Sequence, residues 1–370
     1  MTTSAVQFPP QQSLILLSRL LFQDREPQHV RAAKAELKAD VLQMTRPEFD
    51  DLLELAQLNH VVVRGLEAIR ELVREEGDAP RAEWAESALA RERARIDNAI
   101  AFLGEICNAF EERGYGIAVI KSLDHWPDLG SDLDLFTSAS SEEVCGLMKL
   151  RFGAHSEPRS WGDRLACKWN FTIPGLPEAV EVHAGRLGQT GEQVEIASLV
   201  LKRARQVDVG GRIFRVPSIS ERLMISALQR MYRHFYFRLC DMTDSAELAD
   251  TGAIDYADLR HAAMNAGIWK GMATYLRIVS DYVKDYRGIG LDLPRFVVDD
   301  AHFGGSEVYY ARGFIRVPIL PESARLYTSQ LADVFGKGKL QNGARLSLLP
   351  WLATAAVVGQ KLTGSDKGIW

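Results

Sequence analysis

The chain has 370 residues, 46% of them hydrophobic and 25% charged, with a formal net charge of -5. That size and apolar content suit two or three packed units, and the mild acidity argues against a protein that coats nucleic acid without specificity. Cys107, Cys145, Cys167 and Cys240 form no CxxC pair, which speaks against a zinc framework or disulfide scaffold and for a reducing compartment. No basic stretch followed by an apolar one opens the chain, so the expected location is cytoplasmic.

Residues 1–115 read as an N-terminal helical domain. Leu55, Leu58, Val62, Leu66, Ile69 and Val73 recur at helical spacing and predict one continuous stripe on one helix. Gly77-Asp78-Ala79-Pro80 breaks the pattern, and a second helix carries Leu89, Ile96, Ile100, Leu103 and Phe110 before Gly114 ends it.

Residues 116–216 change period. Ile117 to Ser122, Asp132 to Thr137, Cys167 to Ile173 and Ala179 to Ala184 read as strands, the last two as a hairpin around Pro174-Gly175, with a helix over Ser140 to Phe152. Residues 217–292 read as a C-terminal helical domain. Ser218-Ile219-Ser220-Glu221 has capping-box spacing, and the pattern predicts one long helix from Ser220 to about Leu248. Residues 293–370 form an extension with a short extended stretch and an apolar run, Leu346 to Val358, that is too short for a bilayer crossing of ~20 residues. The predicted fold class is α+β: a small mixed sheet flanked by N-terminal and C-terminal helical units.

The run Gly130-Ser131-Asp132-Leu133-Asp134-Leu135-Phe136 carries the chemistry. In a strand, Asp132 and Asp134 share a face while Leu133 and Leu135 point to a core. Two like charges at that spacing call for a cation, and a hard divalent ion takes such oxygen ligands. Glu181 alternates out of Val180-Glu181-Val182-His183 and supplies a third carboxylate, the set that two-metal nucleotidyl transfer uses. Set against this is the plain reading, solvated charges on an edge strand.

A second signal is the stretch from Lys202 to Arg238, where positive charges exceed negative ones by seven. Arg230, His234 and Arg238 recur every fourth residue and make a polar stripe on the predicted helix, available to a triphosphate or to solvent. Trp161 and Trp169 are either core or platforms for a base.

Taken in order, Ile120-Lys121-Ser122, Trp126-Pro127-Asp128, the Asp132 and Asp134 run and, some 45 residues on, Val180-Glu181-Val182-His183 resemble an uncharacterised nucleotidyltransferase family of the DNA polymerase beta-like superfamily. The likeness extends to Arg233-His234, Asp241 and Ile254-Asp255-Tyr256, and covers roughly residues 45–290. It implies a nucleotidyltransferase core that moves a nucleoside monophosphate from an NTP, ATP foremost, to an acceptor hydroxyl, with two Mg²⁺ ions or Mn²⁺ in their place. By that likeness Asp132, Asp134 and Glu181 are catalytic and hold metal. Lys121, Ser122, Ser131, Arg230, His234 and Arg238 bind nucleotide, and His183 orients Glu181 or meets the acceptor. The acceptor is left open among a small molecule, a glycan precursor, a protein and tRNA.

The chain departs from the family where Ser122 stands in place of the glycine after the lysine, so the tight glycine turn is expected to be missing. Three rivals stand beside the transferase: a catalytically degenerate nucleotide- or RNA-binding module, a DxD glycosyltransferase, and a membrane-associated adaptor built around Leu346 to Val358.

Overall fold

A computed structural model describes residues 10–22 and 30–351. Among these, five helices precede the first strand: α1 (Pro10–Leu21), α2 (Val30–Gln43), α3 (Arg46–Leu58), α4 (Val62–Glu75) and α5 (Ala79–Glu112). The stripe from Leu55 to Val73 spans two helices and not one. Buried Asn59 ends α3 by donating its side-chain amide to Leu55 O and Gly313 O, both at 3.0 Å, and His60 follows at φ 53. That left-handed residue redirects the chain into α4. Asp78 then caps α5 through Arg81 N, as the Gly77 to Pro80 break predicts.

The main sheet contains β1 (Ile117–Val119), β2 (Asp132–Thr137), β3 (His155–Ser156), β4 (Lys168–Ile173) and β5 (Leu176–Ala184) in the order β1-β2-β5-β4-β3. Only the β2 and β5 pair is parallel; the other three pairs are antiparallel. Between β2 and β4 lie α6 (Ser141–Phe152), started by a capping box of Ser140 and Glu143, and α7 (Trp161–Leu165), started by one of Ser160 and Asp163. Next comes α8 (Val194–Lys202), followed by the hairpin of β6 (Arg205–Val209) and β7 (Arg212–Val216). Its two-residue turn is Gly210-Gly211 with φ 60 and 76, which glycine adopts without strain.

The long helix expected from Ser220 is interrupted. It runs as α9 (Ile219–Ala227), widens into a π-type turn over Leu228–Arg233, and gives way to β8 (Tyr236–Phe237) before α10 (Leu239–Asp250). Neither proline nor glycine causes the break. His234 N bonds Gln229 O at 2.7 Å, and Phe237 pairs with Ile315 while its ring, wholly buried, meets Tyr275 with centroids 5.1 Å apart. Strand pairing and aromatic burial outweigh helical propensity here.

The remaining elements are α11 (Tyr256–Ala266), α12 (Trp269–Arg287), α13 (Arg295–Asp300), β9 (Tyr309–Ala311), β10 (Phe314–Arg316), α14 (Ala324–Gly336) and α15 (Leu340–Leu346). β10 lies between β8 and β9 in a second sheet, which accounts for the predicted extended stretch. The apolar run from Leu346 lies outside the described residues beyond 351. Among the described residues, no helix is long and apolar enough to cross a membrane. The protein is thus a mixed α+β fold.

Candidate active site

Strand register builds the site. Along β2 and β5, Leu133 pairs with Val180, Asp134 with Glu181 and Leu135 with Val182. The four apolar members have no exposed surface, so alternation turns both carboxylates to the other face. Asp132 lies two residues earlier on that face, exposed at the start of the strand.

Cationic side chains surround these acids. Lys121 Nζ bonds Asp134 Oδ1 and lies 3.5 Å from Glu181 Oε1. Lys168 Nζ lies 3.0 Å from Glu181 Oε2 and 3.0 Å from Asp163 Oδ1. His183 Nε2 completes the set at 2.8 Å from Glu181 Oε1. Burial opposes ionisation of Glu181, but Lys121, His183 and Lys168 outweigh it and hold its carboxyl well below the usual range. Asp134 is shifted up by burial, with Lys121 offsetting part of the rise and Glu181 adding to it. Burial and Glu181 also raise Asp132. Burial holds His183 below its ordinary value, so its neutral ring presents the Nε2 hydrogen to Glu181, and Nδ1 is buried without a partner.

The glycine turn is absent, as expected, and a different tight turn takes its place with Lys121 at its centre. Ser122 N donates to Ile120 O at 2.7 Å around Lys121, whose φ is 65 and ψ is -57. This is a γ-turn of the rare, strained hand, costing about 1–3 kcal/mol, and it aims the ammonium at the strand pair. Ser122 is directed inward. Its hydroxyl accepts from Asp134 N at 2.7 Å and reaches Asp132 O at 3.2 Å, so it ties the turn to β2.

Arg230, His234 and Arg238 form no helical stripe, because the π-type turn and β8 separate them. They nevertheless line the same cavity as the carboxylates, a space of about 170 Å³. Much of the basic stretch is neutralised: Arg222 by Asp124 at 2.6 Å, Arg203 by Asp258 and Glu221, and buried Arg230 by Asp241 at 2.7 Å. Arg233 also faces the cavity and has no carboxylate partner among the described residues. Ser131 is exposed and lines the neighbouring groove. Trp169 is covered by the Arg159 guanidinium 4.0 Å from its ring centroid, and Trp161 is exposed.

A second, apolar chamber of about 70 Å³ shares Lys121, Gln229 and Arg233 with the first and reaches His183 and Gln330. Among the described residues, both amide atoms of buried Gln330 lack a partner, as His183 Nδ1 does.

The sequence reading did not single out Lys168, Asp163 or Arg233 as site residues, although Arg233 lies in the basic stretch and in the resemblance. Lys168 is found only through the hairpin register, which sets it opposite His183. Asp134, Glu181 and His183 each place a donor atom within 4.8 Å of the others; Asp132 lines the same cavity but stands outside that group.

No protein-family model matches this chain, and no curated protein matches it in sequence. Among solved structures, a chain described as a tRNA-processing enzyme in an apo form is similar over 73% of this chain and 68% of its own, with 10% identity and a TM-score of 0.29. Similarity at that level leaves the function to be read from the site itself.

Proposed function

We propose that this protein is a metal-dependent nucleotidyltransferase, which moves a nucleoside monophosphate from an NTP to an acceptor hydroxyl and releases pyrophosphate. The observation that carries the reading is the register of Asp134 with Glu181 on adjacent parallel strands, with Asp132 on the same face and the Lys121 ammonium between the pair. In the reaction the acceptor oxygen bonds to the α-phosphorus, the bond from that phosphorus to the β-bridging oxygen breaks, and the acceptor gives up its proton.

The residues fit a hard divalent cation. Carboxylate oxygens dominate the donor set, and an ammonium already lies where positive charge is needed. Asp132, Asp134 and Glu181 would hold two Mg²⁺ ions, or Mn²⁺ in their place, which neutralise the triphosphate and polarise the α-phosphorus when bound. Glu181, kept ionised by its cationic neighbours, suits a permanent ligand better than a proton acceptor. His183 is oriented by Glu181, lines the apolar chamber and has no partner on Nδ1 among the described residues, which makes it the better proton acceptor for a hydroxyl entering there. Lys121, Arg233 and Arg238 supply charge for phosphate oxygens, with His234 and Ser131 at the edges of the nucleotide. Ser122 and Arg230 act by holding backbone and Asp241 in place.

ATP is the first nucleotide to test, and the acceptor is a small molecule, a glycan precursor, a protein or tRNA. Each NTP with Mg²⁺ is titrated calorimetrically into wild type and into Asp132→Ala/Asp134→Ala. Binding that requires both metal and aspartates supports the transferase, and α-labelled nucleotide then reports transfer. Nucleotide binding that is unchanged in the variant without Mg²⁺ replaces this reading with a binding module.

A further inference from the structure

Three metal-ligating side chains apart from the carboxylate group converge beside the same cavity, His60 and His125 on its wall and Cys240 buried behind them. His60, His125 and Cys240 each place one donor atom within 4.8 Å of the others. His125 Nε2 lies 3.8 Å from Cys240 Sγ, close to the roughly 3.5 Å between nitrogen and sulfur in a tetrahedral site with bonds of about 2.0 and 2.3 Å.

The approach of these groups is built in. Asn59 Oδ1 accepts from Leu239 N at 3.1 Å, and Asn59 O accepts from Cys240 N at 3.2 Å, which fastens the His60 loop to the start of α10. The left-handed backbone of His60 brings its ring to His125 with centroids 5.6 Å apart, and His60 Nδ1 is buried without a partner. His125 Nδ1 meets Asp244 Oδ2 at 2.5 Å, and the other oxygen of Asp244 pairs with Arg64 at 2.8 Å. A carboxylate on one ring nitrogen is what fixes a ligating imidazole and leaves the other nitrogen for a metal.

We propose that His60, His125 and Cys240 bind one zinc-class divalent ion, with Asp244 orienting His125 and the fourth position open to the cavity that both histidines line. Two imidazoles and a thiolate are softer donors than the carboxylates and select against Mg²⁺. Three protein ligands with one vacant position are the arrangement of zinc sites that accept a further ligand. Binding releases the Cys240 proton to solvent, so thiolate and Asp244 offset the two charges of the ion, while Arg64 and Arg230 also have Asp128 and Asp241 as partners. Because the ligands come from the α3 to α4 turn, the segment between β1 and β2, and α10, the ion fastens the N-terminal helices to the sheet and the C-terminal helices. A CxxC pattern is absent because no two ligands are close in sequence.

The test is a Co²⁺ titration of full-length protein stripped with EDTA, followed by displacement with Zn²⁺. In wild type and in Asp134→Asn the thiolate-to-cobalt charge-transfer band is expected to saturate at one equivalent. Cys240→Ser is expected to lose the band, and Asp244→Asn to bind at least ~10-fold more weakly. Zn²⁺ should raise the melting temperature of wild type and leave that of Cys240→Ser unchanged. Folded wild type without the band, or the same band in Cys240→Ser, overturns the site. Should Cys240→Ser fail to fold, His60→Ala replaces it, and unchanged Co²⁺ affinity there overturns the site equally.

Discussion

Asp134 and Glu181 are paired on adjacent parallel strands, and the ammonium of Lys121 lies between their carboxylates. The lysine thus serves as the cation that two buried acids require. Lys121→Met removes the cation of Asp134, while Glu181 keeps Lys168 and His183, and the broken buried ion pair costs about 3–5 kcal/mol. The left-handed backbone is no worse for methionine than for lysine, so the charge alone changes. Thermal melts should show a marked drop without metal and a partial recovery with Mg²⁺ or Mn²⁺. A drop that neither ion relieves removes this pair as a cation site.

Neutralising the acids themselves separates chemistry from folding. Asp134→Asn and Glu181→Gln keep shape and burial while removing ligand charge. Each is expected to lower pyrophosphate release at least a thousand-fold, or about 4 kcal/mol of transition-state stabilisation. Ser122→Ala should behave differently, because its hydroxyl is engaged by Asp134 N and Asp132 O. Loss of this buried hydrogen bond costs stability of about 1–3 kcal/mol, with a nucleotide KM close to that of wild type. A large rise in KM for Ser122→Ala with unchanged stability would show that the hydroxyl reaches phosphate.

Two arginines three residues apart make a contrasting pair. Arg230 is buried against Asp241, whereas Arg233 faces both chambers without a carboxylate partner among the described residues. Arg230→Ala strands Asp241 and should cost about 3–5 kcal/mol of stability. Arg233→Ala should melt as wild type does but bind NTP about ten-fold more weakly, in line with the loss of one charge-assisted hydrogen bond. Chemical denaturation and calorimetry at two salt concentrations distinguish these outcomes.

What the sequence made legible was local pattern. Leu133 and Leu135 alternate with Asp132 and Asp134, and Val180 and Val182 alternate with Glu181, so the strands and the shared polar face follow from period alone. The pairing of those strands did not follow, since parallel register is fixed by contacts across the whole core. The same limit hid the break after Ala227, where propensity favours helix but Phe237 gains a strand partner and an aromatic pocket. It hid the turn at Lys121 as well: glycine is the usual marker of positive φ, and here the pull of Asp134 and Glu181 on an ammonium holds a lysine in that conformation. His60 escaped for a related reason, because the apolar stripe runs straight through Asn59, whose buried amide ends α3 by bonding to residues far along the chain.

Asp163 provides a pH-dependent test of how Glu181 is held. Burial disfavours its charge, but Lys168 and the hydroxyl and amide of Ser160 outweigh burial and bring its carboxyl below the ordinary 3.8. A folded value below the unfolded one means that the unfolded chain takes up the proton first as pH falls. The stabilisation is therefore complete above about pH 4 to 5 and disappears as the pH drops through the folded value. Asp163→Asn weakens both the cap of α7 and the charge partner of Lys168, and should lower stability by about 1–3 kcal/mol near neutral pH. The gap between wild type and variant should then narrow below about pH 4, because only wild type has this carboxylate to lose. Urea denaturation at three pH values measures it. A gap that stays constant down to about pH 3 would mean that hydrogen bonding to Ser160, and not the charge on Asp163, keeps Lys168 against Glu181.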